Sequence, residues 1–243
     1  MSTFFIALGL SLVGGLGGLL VASGVLLIKD SARTKLIPWL VSYAVGALLG
    51  VSMMALLPTT LEQLPPARVF MTLLLGILLF FVLEKLVLWR HCHIHDCEVH
   101  ESSVFPVLIG DAFHNFVDGA VVAAAVMTSV PLGISTAVAV AAHEIPQEVG
   151  DFAILLNAGY SRGRALLLNV LSSATSAAGA IAAFVAFDIV PRMLSYFLVL
   201  AAASFLYVAM ADLIPGLHRG RTDASSMRQI LLILAGVATM LVL

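Results

Sequence analysis

Long apolar runs, broken by short clusters of charged and turn-forming residues, recur along the whole chain. A helix rising about 1.5 Å per residue needs ~20 apolar residues to cross a hydrocarbon core about 30 Å thick. The breaks predict eight such helices, over residues 4–28, 37–57, 69–89, 104–128, 132–157, 165–187, 193–214 and 228–243. The last is the shortest: from Ile230 its apolar run reaches only about 21 Å, so residues from Met227 onward must help it across. The first run has no basic segment before it and exceeds the roughly 7 to 15 apolar residues of a signal peptide, so it is read as a retained span. The expected fold is an all-α polytopic membrane protein, one transmembrane domain covering residues 1–243 with a loop at 90–103.

Basic residues set the expected orientation. With loops assigned alternately to the two sides, Lys29, Arg33, Lys35, Lys85, Arg90, Arg162, Arg164, Arg219, Arg221 and Arg228 share one side, against Arg68 and Arg192 on the other. The richer side is then cytoplasmic, with both termini extracytoplasmic, in a multi-pass protein of the plasma or inner membrane. Removing one span would scramble this partition. A weaker pattern concerns symmetry. The second span ends Ala55-Leu56-Leu57-Pro58 and the seventh Asp212-Leu213-Ile214-Pro215, at opposite faces, as expected of an inverted repeat arranged 3+2+3 around a central pair. Equally, each proline could simply end its helix.

Composition agrees with this reading. The chain is 61% hydrophobic and 11% charged, where soluble domains carry about 25% charged residues, and no room remains for a soluble domain. Its formal net charge of -2 provides no tail suited to nucleic acid. Cys92 and Cys97, the only cysteines, fall in one loop and exclude a disulfide framework.

Ionisable residues inside spans are costly and mark ligand sites or pathways. Here they gather on two successive helices: Asp111, His114, Asn115 and Asp118 on the fourth, His143, Glu144, Gln147, Glu148 and Asp151 on the fifth. His114 with Asp118, His143 with Gln147, and Glu144 with Glu148 are i, i+4 pairs, each presenting two side chains to one helix face. The short turn around Pro131 makes the two helices antiparallel, so the patches can face each other. So many carboxylates in a low-dielectric bundle need a cation to offset their repulsion, and imidazole with carboxylate suits zinc, iron(II) or manganese. Helices glued by interhelical hydrogen bonds are the simpler account of a lone polar residue, but nine on two helices exceed it. Pro146 lies within the second patch, where loss of a donor would free the carbonyl of Ala142.

The segments His114-Asn115-Phe116-Val117-Asp118-Gly119 and His143-Glu144-Ile145-Pro146-Gln147-Glu148-Val149-Gly150-Asp151 resemble the fourth- and fifth-span signatures of the ZIP (zinc-regulated, iron-regulated transporter-like) metal-ion transporters. The resemblance implies transport of a divalent metal, zinc foremost and also iron, manganese or cadmium, toward the cytoplasm through a paired-metal site. Metal is then substrate, with no catalytic cofactor. By position, the resemblance places His114, Asp118, His143 and Gln147 at one metal, and Asn115, Glu144 and Glu148 at or bridging to a second. Many relatives carry His where this chain has Gln147, and an amide oxygen there makes the site harder. The second span lacks the acidic and His residues of some relatives; Met53 or Met54 could offer a thioether, or simply pack.

Further candidates are peripheral. Asp111, Asp151 and Asp212 could line a pathway. His91, Cys92, His93, His95, Cys97 and His100, with Asp96, Glu98 and Glu101, form a ligand-rich cytoplasmic tract suited to metal capture, although the spacing matches no zinc finger. Small residues from Ser172 to Gly179 permit close helix packing, within one protomer or across a homodimer. The competing function is an intramembrane zinc-dependent hydrolase, since His143-Glu144 begins a His-Glu-x-x-His motif; Gln147 breaks it.

Overall fold

The computed structural model describes residues 2–92, 104–218 and 224–243, all helices and the short turns between them. Helix α1 is Ser2–Leu26. Helix α2 runs Asp30–Gly50, passes through a π-helical stretch at Val51–Leu56 and continues as Leu57–Gln63. Then come α3 (Pro66–Cys92), α4 (Val104–Thr128) and α5 (Val130–Asn157). Helix α6 has two parts, Arg162–Ser173 and Thr175–Ile189. Helix α7 runs Arg192–Tyr207, turns π-helical at Val208–Leu213 and ends as Ile214–His218, and α8 is Ala224–Val242.

Six of these are long and apolar enough to cross a membrane. Of the other two, α5 has the length, 28 residues, but its polar patch lowers its hydropathy. The apolar part of α8, Ser226–Val242, is shorter. Because α8 starts at Ala224, it gains residues beyond the run counted from Ile230.

Two expected boundaries need correction. Helices α2 and α7 do not stop near Pro58 and Pro215 but run on to Gln63 and His218. Proline lacks a donor N–H, and its ring crowds the carbonyl four residues back. In both helices a six-residue π-helical stretch ends two residues before the proline. Its wider turn relieves that crowding, so the helix continues; such stretches recur at functional sites. Helix α5 is likewise continuous through Pro146.

Packing divides the helices into two groups. Helices α1, α4, α5 and α6 pack on one another, while α2 packs on α8 and α3 on α7; the groups meet where α2 lies against α5 and α7 against α4. The α4 to α6 crossing is very close. A side chain at Gly179 would strike the Phe116 carbonyl oxygen, and one at Gly119 that of Ser176. Part of the small-residue stripe is thus used inside the chain. The core between the groups is built largely of short side chains, including Ala123, Ala124 and Ala125 of α4 with Ala44 and Ala47 of α2, all fully buried. Helix α3 exposes Phe70, Met71, Leu74, Leu75 and Leu78, a face suited to acyl chains. The turn between α4 and α5 is capped by Ser129, whose hydroxyl accepts from the Leu132 N–H at 3.3 Å, fixing the antiparallel hairpin that carries the polar residues.

Candidate metal site

The two polar patches meet between α4 and α5. His114, Asp118, His143 and Glu144 each present one ligand atom, and the four atoms lie within 4.8 Å of one another. His143 Nε2 is 2.9 Å from Asp118 Oδ2 and 3.8 Å from Glu144 Oε1. His114 Nε2 is 3.5 Å from Glu144 Oε1, 3.7 Å from Asp118 Oδ2 and 3.1 Å from His143 Nε2. Asp118, His143 and Glu144 are buried, and His114 retains 26% side-chain exposure, which leaves an opening to the cluster.

The other nitrogen of His143 decides what this cluster can do. Its Nδ1 lies 3.0 Å from the Ala139 carbonyl oxygen. A carbonyl only accepts, so Nδ1 carries a proton, and in the neutral ring, the form that ligates metal, Nε2 is a lone pair. That lone pair points at the Asp118 carboxylate and the His114 nitrogen, with both Glu144 oxygens also buried and without a hydrogen-bond partner. Acceptors so arranged repel unless a metal ion or a proton sits between them. A carbonyl fixing the remote nitrogen of a ligating imidazole is also the usual outer-shell device of metal sites. Two imidazoles and two carboxylates match in number and type the donors of a closed zinc site, whereas a catalytic zinc keeps one position for water.

The neighbouring elements close the cluster. At Gly18 of α1 an added Cβ would come within 2.9 Å of Glu144 Cβ, so only glycine lets α1 lie so tightly over the carboxylate. On the α7 side, Phe205 stacks obliquely on His143, ring centroids 5.9 Å apart. Both walls exclude water and strengthen electrostatics within.

The remaining candidates take other places. The Gln147 amide donates to Asp111 Oδ1 at 3.1 Å, and Asn115 donates to the same oxygen at 3.1 Å. Asn115 Oδ1 and Asp111 Oδ2 are left buried without partners. Glu148 Oε1 accepts from Ser173 Oγ at 2.6 Å, while Glu148 Oε2 has no partner. Asp151 is half-buried one turn further along α5. Sequence reasoning missed Asn169 of α6, fully buried with neither end of its amide bonded, and treated Ser173 only as a small residue. A buried amide inside a span was the available signal for Asn169.

Asp212 is exposed on the π-helical stretch of α7 and lines a cavity of about 360 Å³ with Pro38, Val41 and Gln229. Met53 and Met54 are half-exposed on the corresponding stretch of α2 rather than packed in the core. Nearby, the Tyr207 hydroxyl donates to Glu84. His91 and Cys92 end α3, while His93, His95, Cys97 and His100 lie outside the described residues.

Comparison with known proteins converges on one group. The family model described as ZIP Zinc transporter matches residues 90–243, including both polar helices. Zinc transporter ZIP4 of Homo sapiens is 43% identical over 117 residues, 48% of this chain and 18% of that protein. Zinc transporter ZIP10 of Danio rerio is 38% identical over 122 residues, 50% of this chain and 14% of that protein. The Zinc transporter ZIP13 homolog of Drosophila melanogaster matches more broadly, 28% identical over 281 residues, 88% of this chain and 79% of that protein. The matched region is thus less than a fifth of the length of the ZIP4 and ZIP10 relatives.

Proposed function

Since the chain belongs to the ZIP zinc transporter family, we propose that this integral, multi-pass membrane protein carries divalent metal ions, zinc foremost, across the bilayer into the cytoplasm. The observation that carries the reading is the convergence of His114, Asp118, His143 and Glu144, with the His143 tautomer held by the Ala139 carbonyl. An entering ion exchanges water for these donors, with neutral imidazoles and ionised carboxylates as the binding forms. Asn115, Glu148 and Asp111, each with an unpartnered buried oxygen, supply a second position, which makes the site binuclear. Gln147 adds its amide oxygen to the donor set beside Asp111, and Asn169 extends the polar track onto α6. Asp151 and Asp212 serve as pathway carboxylates, Met53 as a peripheral thioether, and the tract from His91 to His100 as a cytoplasmic capture loop.

The excess of Lys and Arg on one side supports termini outside the cytoplasm. Matched π-helical stretches before Pro58 and Pro215, and the pairing of α2 with α8 and α3 with α7, support the 3+2+3 inverted repeat. Movement of the α1, α4, α5, α6 group against the other four helices is then the access step, because the cluster belongs to the first group and is walled by Phe205 of the second.

The test is metal entry into sealed proteoliposomes holding a metal-sensitive dye, for zinc, iron(II), manganese and cadmium. Wild type should admit zinc, and His143→Ala and Glu144→Ala should abolish entry while the folded protein persists. Equal entry in wild type and both variants would remove the site from the transport path; no entry of any ion into vesicles of folded wild type would overturn transport.

A further inference from the structure

Away from the polar cluster, a second cavity opens at the end of the bundle that carries Arg33 and Arg162. It holds about 500 Å³ between the last turns of α1, the start of α2, the end of α5 and the first turn of α6, within the roughly 300 to 1,000 Å³ typical of small-molecule sites. Its walls are apolar, with Leu27, Leu156 and Leu166 among them, and its charged lining residues are Arg33 and Arg162. Two glycines border the space. Both Gly24 and Gly163 line it, and a Cβ built on either meets nothing within 4 Å. The cavity opens toward the lipid-facing surface, since Leu20 and Leu27 on its rim are 75% and 84% exposed.

We propose that this groove is a binding site for an anionic glycerophospholipid of the bilayer, its acyl chain lying between α1, α5 and α6 and its phosphate at Arg162 and the start of α6. The combination selects the occupant. An apolar trough beside the exposed Arg162 guanidinium suits a molecule with an apolar body and an anionic head, and guanidinium pairs with phosphate by forked hydrogen bonds. Arg162 is the first residue of α6, so the positive end of that helix adds to the attraction for phosphate. A zwitterionic lipid would bring its own cation to the same place, so the site discriminates by head-group charge. With a lipid seated there, α1, α5 and α6 are held together at the membrane boundary below the polar cluster.

The experiment is native mass spectrometry of the full chain, released from micelles containing equal amounts of phosphatidylglycerol and phosphatidylcholine. Wild type should retain phosphatidylglycerol in preference to phosphatidylcholine. Arg162→Gln should reduce that preference about fivefold, the equivalent of the ~1 kcal/mol a basic side chain contributes at an anionic surface. Gly24→Leu should fill the groove and reduce retention to background, while Gly9→Leu, on the same helix with nothing within 4 Å of its Cβ, should behave as wild type. Equal retention of the two lipids by wild type, undiminished retention by Gly24→Leu, or equal losses in Gly24→Leu and Gly9→Leu would each overturn the proposal.

Discussion

Glu144→Gln changes one oxygen for an amide nitrogen at a residue that is fully buried, with neither carboxylate oxygen hydrogen-bonded. Shape and volume are nearly kept, so the effect is one of charge and ligation. In the metal-free protein the change removes a carboxylate that faces Asp118 across the cluster, and the new amide can donate to the His114 nitrogen, which now lies 3.5 Å from Glu144 Oε1. Thermal stability of the metal-free variant should therefore equal or exceed that of wild type. Metal binding should respond in the opposite sense. Four-ligand zinc sites bind with about 10 to 16 kcal/mol, so one ligand of four is worth about 2.5 to 4 kcal/mol, roughly 10² to 10³ in affinity. At a zinc concentration 100 times the wild-type dissociation constant, bound metal adds about 2.7 kcal/mol to the wild type and under ~0.5 kcal/mol to the variant. The assay is thermal unfolding in micelles, followed by circular dichroism with and without zinc, beside direct zinc titration. A variant that keeps the full zinc-induced stabilisation, or whose metal-free form melts well below wild type, would show that Glu144 is a structural group and not a ligand.

Other consequences are as specific. Gln147→His should raise zinc entry relative to manganese, because imidazole replaces an amide beside Asp111 and softens the donor set; the ratio of the two fluxes in proteoliposomes measures it. Gly179→Ala places a methyl group against the Phe116 carbonyl and should destabilise the α4 to α6 packing by about 1 to 3 kcal/mol or more, read as a lower melting temperature with unaltered far-ultraviolet dichroism below it. Zinc affinity should fall as pH is lowered below neutrality, since protons compete for the imidazole lone pairs and the carboxylates that ligate. Calorimetry in buffers of different ionisation enthalpy should accordingly show proton release on binding.

Much of the candidate site was legible as a list of residues and little of it as a constellation. Helix α4 covers Val104–Thr128, a stretch at both ends of which hydropathy breaks sharply. The i, i+4 spacing on α4 and α5 placed polar side chains on one face of each helix, and the short turn at Pro131 brought those faces together. Which side chains touch depends on the rotation of each helix about its axis. Successive residues differ by about 100° around a helix, so spacing alone could not show that Glu144, next to His143, also reaches the imidazoles, or that the Gln147 amide hydrogen-bonds Asp111 on the facing helix. The α2 and α7 ends were misread for a local reason: proline ordinarily stops a helix, and nothing in Ala55-Leu56-Leu57-Pro58 announces the π-helical turn that lets it continue.

A helical membrane protein with polar residues concentrated on two successive spans follows from the order of residues alone, because apolar run length and the cost of a charge in hydrocarbon are properties read one residue at a time. Tertiary structure alone decided that Glu144 joins His114, Asp118 and His143, that α1 can close over them through Gly18, and that Gly24 and Gly163 leave a groove beside two arginines. Those outcomes depend on how closely and at what rotation helices distant in sequence meet, and that is settled by packing across the whole bundle.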